Sequence, residues 1–318
     1  MARMYKRPEI SMMAELNGQS RIPLSRNYHV THLLCKLTVT HTNGTTPVFN
    51  EDDLYSLINK VEIVGNGNQN LKSIKGKKLK LNTVLGFTTT SKSTLNTIAS
   101  GAGKESTVWF TIMFNLSGTI RGHDTILNTA LYTNLDMLID WSGADAVGSD
   151  ITVTSAKIDT YSNALIGYKR NQGETIKYYK EIQMTEPIVN SADEHTITLP
   201  TKKIYKSLIL HSTVDGVPSD AVINNITLKS GTTVIMSLPY DAVQVENELQ
   251  YKPQDINDLK GIAVIDFAQR GRLSDLLDTT LNEFNTLELV LNVTKSGTDT
   301  NVTVFTDEIQ NTSVIETK

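Results

Sequence analysis

One glycine-rich stretch, GAGKES at residues 101–106, contains the residue types of a phosphate-binding loop. Such a loop wraps backbone N–H groups around phosphates, and it needs an earlier glycine at fixed spacing and a Ser or Thr after the lysine. Here Ile98 stands where the earlier glycine is needed, and Glu105 follows Lys104. The spacing therefore does not predict a nucleotide site.

His29, His32 and Cys35 lie close together in a segment with strand character, and imidazole and thiolate groups bind metals. Side chains of a strand alternate between the two faces of a sheet, so this spacing separates the groups. The chain also lacks the G-x-S-x-G, H-E-x-x-H and H-x-H patterns of common hydrolase and metal sites. We therefore predict no catalytic, cofactor-binding or metal-binding residues, and a protein that is not an enzyme.

Acidic residues cluster at Glu51-Asp52-Asp53 and between Asp140 and Asp150. Carboxylates on neighbouring loops could hold Ca²⁺, but solvated turns are the simpler interpretation, and no structural Ca²⁺ is predicted. A carbohydrate-active β-sandwich enzyme would need two carboxylates in one cleft, and no motif indicates such a pair.

Basic residues concentrate in two short stretches, although the formal net charge is −4. One is KSIKGKKLKLN at residues 72–82, and the other is the N-terminal group of Arg3, Lys6 and Arg7. Such runs are usually solvated faces, but near anionic lipid each cation adds about 1 kcal/mol of attraction. The two stretches could therefore meet a membrane surface or a genome, while the net charge does not predict sequence-specific nucleic-acid binding.

Most of the chain shows the alternating apolar and polar pattern of β-strands, as in KVEIVGN, STVWFTIMFNL and TLELVLNV. Turn signals lie between such segments, at Asn17-Gly18, Asn43-Gly44, Asn66-Gly67 and Asp215-Gly216. The pattern predicts an all-β fold in which helix is a minor component.

Helical spacing occurs in two similar stretches, residues 123–133 and 274–284. In the first, Ile126, Leu127, Ala130 and Leu131 repeat on one helical face after Asp124, a suitable N-cap. Each stretch precedes an alternating strand and follows an Arg-Gly pair, Arg121-Gly122 or Arg270-Gly271. We predict a short helix in each stretch and a structural role for the Arg-Gly pairs.

The similarity between the two halves extends well beyond these stretches. Ile58-Asn59 begins a strand-and-turn segment that returns at Ile223-Asn224, and Glu9-Ile10-Ser11-Met12 is echoed at residues 181–184. The offset falls from 172 through 165 to 149 along the chain, as shorter loops in the second half would produce. We predict a duplicated domain, with residues 1–165 forming an N-terminal arm and a first domain and residues 166–318 forming a second.

Cys35 is the only cysteine, so no intramolecular disulfide is expected and a reducing compartment suits the chain. The first residues lack the apolar run of about 7–15 residues that marks a secretory signal. No apolar stretch of about 18 residues occurs, so no membrane-spanning helix is expected.

The order of these landmarks resembles the double jelly-roll major capsid proteins of icosahedral, internal-membrane bacteriophages of the corticovirus-like and finnlakevirus-like kind. The residues that carry the resemblance are the N-terminal arm, LINKVEIVGNG at 57–67, and the segment that leads into LDMLIDW at 135–141. The resemblance implies two tandem eight-stranded jelly rolls, each with a helix between its sixth and seventh strands.

The resemblance also implies a function, which is self-association into homotrimers. Three chains with two jelly rolls each form a pseudo-hexameric tile of an icosahedral shell, and penton and minor capsid proteins complete it. The protein would reside in the virion after synthesis in the host cytoplasm. Arg3, Lys6 and Arg7 would lie at the inner face, near an internal lipid membrane.

One alternative from another class is a two-domain β-sandwich that binds carbohydrates or a receptor, as lectins and adhesins do. Such a module favours exposed aromatic residues at loop tips, yet aromatic residues make up only 6% of the chain. Most of them fall inside strand patterns, among them Trp109, Phe110, Phe114, Trp141 and Phe267. The coat protein is therefore the preferred interpretation.

Overall fold

The computed structural model describes residues 3–87, 92–96, 100–116, 125–168, 175–251, 259–268, 273–281 and 283–315. These residues form two compact units. The first takes in the described residues up to Tyr179 and the segment from Asn311, and the second runs from Lys180 to Gln310. The predicted division between residues 165 and 166 falls at the end of a strand, Ser149–Ile166, and stays a prediction.

The strands of the first half form two antiparallel sheets. In chain order they are β1 (Arg3–Pro8), β2 (Met12–Met13), β3 (Gln19–Pro23), β4 (His29–Val48), β5 (Ile58–Gly65), β6 (Gln69–Lys75), β7 (Ser93–Thr94), β8 (Gly101–Met113), β9 (Leu127–Asn128), β10 (Leu135–Trp141) and β11 (Ser149–Ile166). One sheet has the order β1-β11-β4-β8-β7, with β2 beside β11 and β9 beside β4. The other has the order β3-β10-β5-β6.

Two further antiparallel sheets contain the strands of the second half. These are β12 (Thr175–Pro187), β13 (Ala192–Leu199), β14 (Ile204–Val214), β15 (Val217–Pro218), β16 (Ile223–Ser230), β17 (Thr233–Pro239), β18 (Ile262–Asp266), β19 (Leu277–Asp278), β20 (Leu287–Val293) and β21 (Thr300–Ile315). In one sheet β12, β21 and β14 follow one another, and β15, β18 and β19 lie beside β14. The other has the order β13-β20-β16-β17.

Both halves have the same connectivity once β1 and β2 are counted as one strand and the short strands β7, β9, β15 and β19 are set aside. Numbered along each half, the main strands run 1-8-3-6 in one sheet and 2-7-4-5 in the other. Two sheets of four strands connected in this way make a jelly roll, which leaves only short edges open. The prediction of an all-β fold with two tandem jelly rolls is confirmed.

The repeated strands also keep the same register. In the first unit Met137 on β10 pairs with Ile22 on β3 and with Ile63 on β5. In the second unit Leu289 on β20 pairs with Ile197 on β13 and with Leu228 on β16. All six side chains are buried in the core of their own unit, because alternate residues of each strand face the opposite sheet.

Helices occur at three places among the described residues: α1 (Glu51–Ser56), α2 (Gly76–Phe87) and α3 (Tyr240–Tyr251). The acidic cluster of residues 51–53 is the first turn of α1, where carboxylates favour the positive end of the helix. Asn50 caps this turn by accepting the N–H groups of Asp52 and Asp53. α2 and α3 follow β6 and β17, so each lies between the fifth and sixth strands of its jelly roll.

The helices predicted over residues 123–133 and 274–284 are wrong for the residues that the structure describes there. Both segments instead contain a short 3₁₀ turn and a two-residue strand, Leu127–Asn128 or Leu277–Asp278. The twelve-residue helix of each jelly roll, α2 or α3, thus precedes the sixth strand, one connection earlier than the resemblance implied.

Two of the predicted turns have the expected backbone. Asn66 and Gly67, and likewise Asp215 and Gly216, adopt positive φ where consecutive antiparallel strands reverse. Asn43-Gly44 is not a turn, because it lies inside β4. Asn43 there marks a bulge, with its side chain accepting from the His41 ring and donating to the Asn96 carbonyl.

Candidate functional site

The residues with catalytic potential take structural positions. GAGKES lies within β8 and pairs with β4, so it is a strand and not a loop before a helix. Cys35 points into the core, where burial raises the pKa of its thiol to about 12. His32 lies on the opposite face of β4, as the alternation predicted. Across the described ranges, no three His, Cys, Asp or Glu side chains are grouped closely enough to hold a metal ion.

The paired Arg121-Gly122 and Arg270-Gly271 lie outside the described residues. The two similar segments that follow these pairs, around Thr129 and Thr279, make the same structural contacts. The Thr129 N–H donates to the Tyr28 carbonyl, and the Thr129 Oγ1 accepts the Tyr28 N–H (3.0 Å) and donates to the same carbonyl at 2.8 Å. Thr279 makes the same contacts with Lys203, at 2.9 and 2.8 Å. Both segments are thereby fixed to the start of the third strand of their jelly roll.

The repeated asparagines Asn59 and Asn224 also have equivalent partners. Ser142, just past the end of β10, donates to Asn59 Oδ1 at 2.7 Å. Asn224 donates to Thr294 Oγ1, just past the end of β20, at 2.9 Å. Ile58 and Ile223 beside them are buried. These repeated residues therefore hold the fourth and seventh strands of each jelly roll together.

The predicted N-terminal cations are part of an edge strand. Arg3, Lys6 and Arg7 lie on β1, which pairs with β11 on one side. Arg3 and Lys6 are exposed, whereas the Arg7 guanidinium lies 4.5 Å from the centre of the Tyr28 ring. Exposed apolar side chains share the strand, namely Met4 and Tyr5. The surface is thus both basic and apolar.

The second basic stretch is only partly a solvated face, because Lys75 is exposed but three of its other lysines have partners within the fold. Lys72 on β6 and Lys78 on α2 are buried, and Lys80 pairs with Asp52 at 2.9 Å. The Lys72 ammonium lies 4.0 Å from the centre of the Tyr179 ring, a cation–π contact that is strong where water is excluded. These three lysines stabilise the fold and do not form a membrane or genome surface.

The outer faces of the two smaller sheets carry different ion pairs. In the first unit Arg21 pairs with Asp136 at 2.6 Å, and Lys60 pairs with both Glu62 and Asp140 at 3.3 Å. In the second unit Lys229 pairs with Glu288 at 3.4 Å, and charged, amide and hydroxyl groups border a cleft of about 450 Å³. Lining groups already bond their neighbours, as Asn292 does with Asp193 and Thr227 with Ser237.

An exposed apolar group in the second unit was missed by the sequence analysis. Ile235 on β17 and Val245 and Leu249 on α3 are exposed, and we name these three residues the α3 patch. Aligning the second unit with the first beyond the strands would have revealed it, since apolar residues occupy the corresponding places in the first unit. Among the described helices, none is long and apolar enough to cross a bilayer.

No family model and no curated protein sequence matches the chain. Solved structures do match it over nearly its full length, at low sequence identity. The STIV MCP, from Sulfolobus turreted icosahedral virus, has a TM-score of 0.75 and 15% identity over 96% of both chains. The major capsid protein P2 of bacteriophage PM2 has a TM-score of 0.65 and 15% identity over 98% of both chains. The PBCV-1 virus capsid has a TM-score of 0.66 and 9% identity over 97% of this chain and 94% of that one. The fold is therefore the double jelly roll found in viral major capsid proteins.

Proposed function

We propose that this chain is the major coat subunit of a virus and that it builds an icosahedral shell by self-association into trimers. The observation that supports this most is the duplication, in which both jelly rolls repeat one strand order and one core register. Three chains of two similar bodies present six, so a threefold assembly can fill a sixfold place in a lattice. Duplication then serves assembly directly.

In this proposal the protein acts by binding to itself, resides in the virion and is not an enzyme. The structures that share its fold are named as capsid proteins, and one comes from an icosahedral virus. Penton and minor capsid proteins complete the shell at positions that the trimer does not fill. Synthesis takes place in the host cytoplasm, which suits a chain with a single, unpaired cysteine.

The proposal includes a contact between the N-terminal cations and an internal lipid membrane. Arg3 and Lys6 are exposed beside Met4, a combination that suits an anionic lipid surface. Vesicles containing anionic lipid should bind the wild-type chain, and Arg3→Gln with Lys6→Gln should weaken binding roughly tenfold or more. The matched control is Lys295→Gln, at an exposed position outside the strand. Equal binding by all three proteins would refute the lipid contact alone.

The experiment that tests the main proposal is the mass of the purified protein in solution by light scattering. We expect about 105 kDa, three times the 35.1 kDa of one chain. Electron microscopy of the same sample at higher concentration should then reveal closed shells or sheets of trimers. A chain that stays monomeric at every concentration, salt level and divalent-ion level would overturn the proposal.

A further inference from the structure

α2 and α3 are equivalent elements of the repeat. Each has twelve residues and directly follows the fifth strand of its jelly roll. Leu79 and Val243, at the same place in the two helices, belong to the cores of their units. Thr83 and Asn247, four residues later, both accept a backbone N–H from the sixth strand. The two helices can therefore be compared residue by residue.

Apolar residues occupy equivalent places in both units but differ in exposure. Leu71 is 2% exposed on β6, whereas Ile235 is 38% exposed on β17. Leu81 is 5% exposed on α2, whereas Val245 is 55% exposed on α3, and Leu249 one turn later is 71% exposed. A single exposed apolar residue is common on protein surfaces. The three residues of the α3 patch are exposed together, and their positions are apolar in both units, which indicates a contact surface. The α3 patch is thus open in the single chain, whereas the first-unit counterparts Leu71 and Leu81 are buried.

The first unit shows what kind of segment lies against its fifth strand. Lys72 on β6 contacts the ring of Tyr179, which belongs to the same unit. In the repeat, the offset of 172 relates Tyr179 to Arg7 on β1. The strand register relates Lys72 to Met236, since their partners Ile63 and Leu228 are equivalent. The equivalent contact of the second unit would place Arg7 on β1 against Met236 on β17, next to Ile235 of the α3 patch.

We propose that β1 of a second copy of this chain packs on the α3 patch. Charge complementarity supports this occupant, because α3 carries Asp241, Glu246 and Glu248 and no basic residue. β1 has three basic residues and no acidic one, and its exposed Tyr5, on the same face as Arg7, matches the apolar patch. The inference rests on the proposed self-association and names the surfaces that carry it.

The contact is compatible with lipid binding by the same strand, because a β-strand has two faces. Arg3, Tyr5 and Arg7 share one face, and Met4 and Lys6 share the other. The repeat assigns the face of Arg7 to the second copy. Met4 and Lys6 on the opposite face remain accessible to lipid, so in the assembled state the lipid contact of this strand falls to Lys6, whereas Arg3 and Arg7 face the second copy.

Cross-linking between two cysteine variants tests the contact. Arg7→Cys is introduced into one batch and Met236→Cys into another, and the mixed batches are oxidised. The native Cys35 is fully buried and should stay silent. We expect a covalent pair of about 70 kDa, twice the 35.1 kDa chain, only in the mixture. Arg7→Cys mixed with Val189→Cys, an exposed position outside the patch, should give no such pair.

A second pair of variants separates this inference from the proposed function. Val245→Glu with Leu249→Glu should weaken trimer formation at least tenfold, whereas Val189→Glu should leave it unchanged. Both altered residues are exposed, so the fold should persist, and circular dichroism checks this. Trimers that survive the double substitution and form no cross-link would overturn the inference and leave the coat proposal standing. A monomeric wild-type chain would overturn both.

Discussion

A threonine preceded by Asn or Asp explains why one stretch without catalytic residues occurs twice in this chain. Asn128 and Asp278 each accept the backbone N–H two residues later, and Thr129 and Thr279 follow them. These side-chain bonds compete with helical hydrogen bonds and favour an irregular segment. Because both threonines are buried, each hydroxyl also satisfies backbone groups that water does not reach.

Loss of one such hydroxyl should destabilise the protein measurably. Thr279→Val keeps the shape of the side chain but leaves the Lys203 N–H without its 2.9 Å partner. We expect a fall of about 1–3 kcal/mol in the free energy of unfolding in urea. Thr196→Val, at an exposed position on β13, is the control and should change it by less than about 0.5 kcal/mol. Equal effects of the two substitutions would contradict the role of Thr279.

His32 should make the stability depend on pH. Burial, with a smaller effect of the nearby Lys6, lowers the pKa of His32 in the folded protein to about 4. Between pH 6.5 and 4 the unfolded chain binds a proton that the folded chain does not, so stability falls as the pH falls. Above this window the group contributes no pH dependence.

Substitution isolates this contribution. Over the window the wild type should lose about 3 kcal/mol more than His32→Gln, since one pKa unit corresponds to about 1.4 kcal/mol. Urea unfolding at pH 7.5 and at pH 4.5 measures the difference. Lys6→Gln should remove a small part of it. Parallel pH profiles for wild type and His32→Gln would rule out the perturbed histidine.

At the scale of elements, the strands could be predicted from the sequence and the helices could not. Alternation placed KVEIVGN and LDMLIDW on strands because one face of each meets a core and the other does not. The described side chains of α2 are all buried or half-buried, polar ones such as Asn82 and Thr83 included, so polar and apolar residues in this part of the helix do not separate with a period of 3.6. Its lysines also suggested a solvated run. In residues 126–131 Ile126 and Leu127 are buried and Leu131 is half-buried from an irregular segment, and their spacing imitated that of a helix.

The start of α2 depends on a residue without a side chain. A Cβ on Gly76 would overlap the carbonyl oxygens of Tyr55 and Ile58, both of them backbone atoms. Gly76→Ala should therefore cost about 3 kcal/mol, as severe overpacking does. Gly67→Ala provides a comparison, because nothing lies within 4 Å of its Cβ and only its positive φ is strained. We expect Gly67→Ala to lower the free energy of unfolding by about 1 kcal/mol. Urea unfolding midpoints measure both losses, and a larger loss for Gly67→Ala than for Gly76→Ala would contradict the role of Gly76.

For the whole molecule, a contact between β1 of one copy and α3 of the next is heterologous, and this has a testable consequence. A chain with Leu249→Glu retains a working β1, and a chain with Arg7→Glu retains a working α3 patch. Each alone should be monomeric, and their mixture should give a pair of about 70 kDa, twice 35.1 kDa, without closing into a trimer. A full trimer in the mixture would contradict this arrangement, and light scattering distinguishes the two masses.

The duplication also affects how fast and at what concentration a ring of six jelly rolls could assemble. Six separate domains would have to meet in five successive collisions, whereas three duplicated chains need only two. Each avoided collision removes a loss of translational and rotational freedom of about 4–15 kcal/mol. Covalent linkage thus lowers the concentration at which rings form, and it frees the two jelly rolls to evolve different outer faces, as the different ion pairs on their smaller sheets already show.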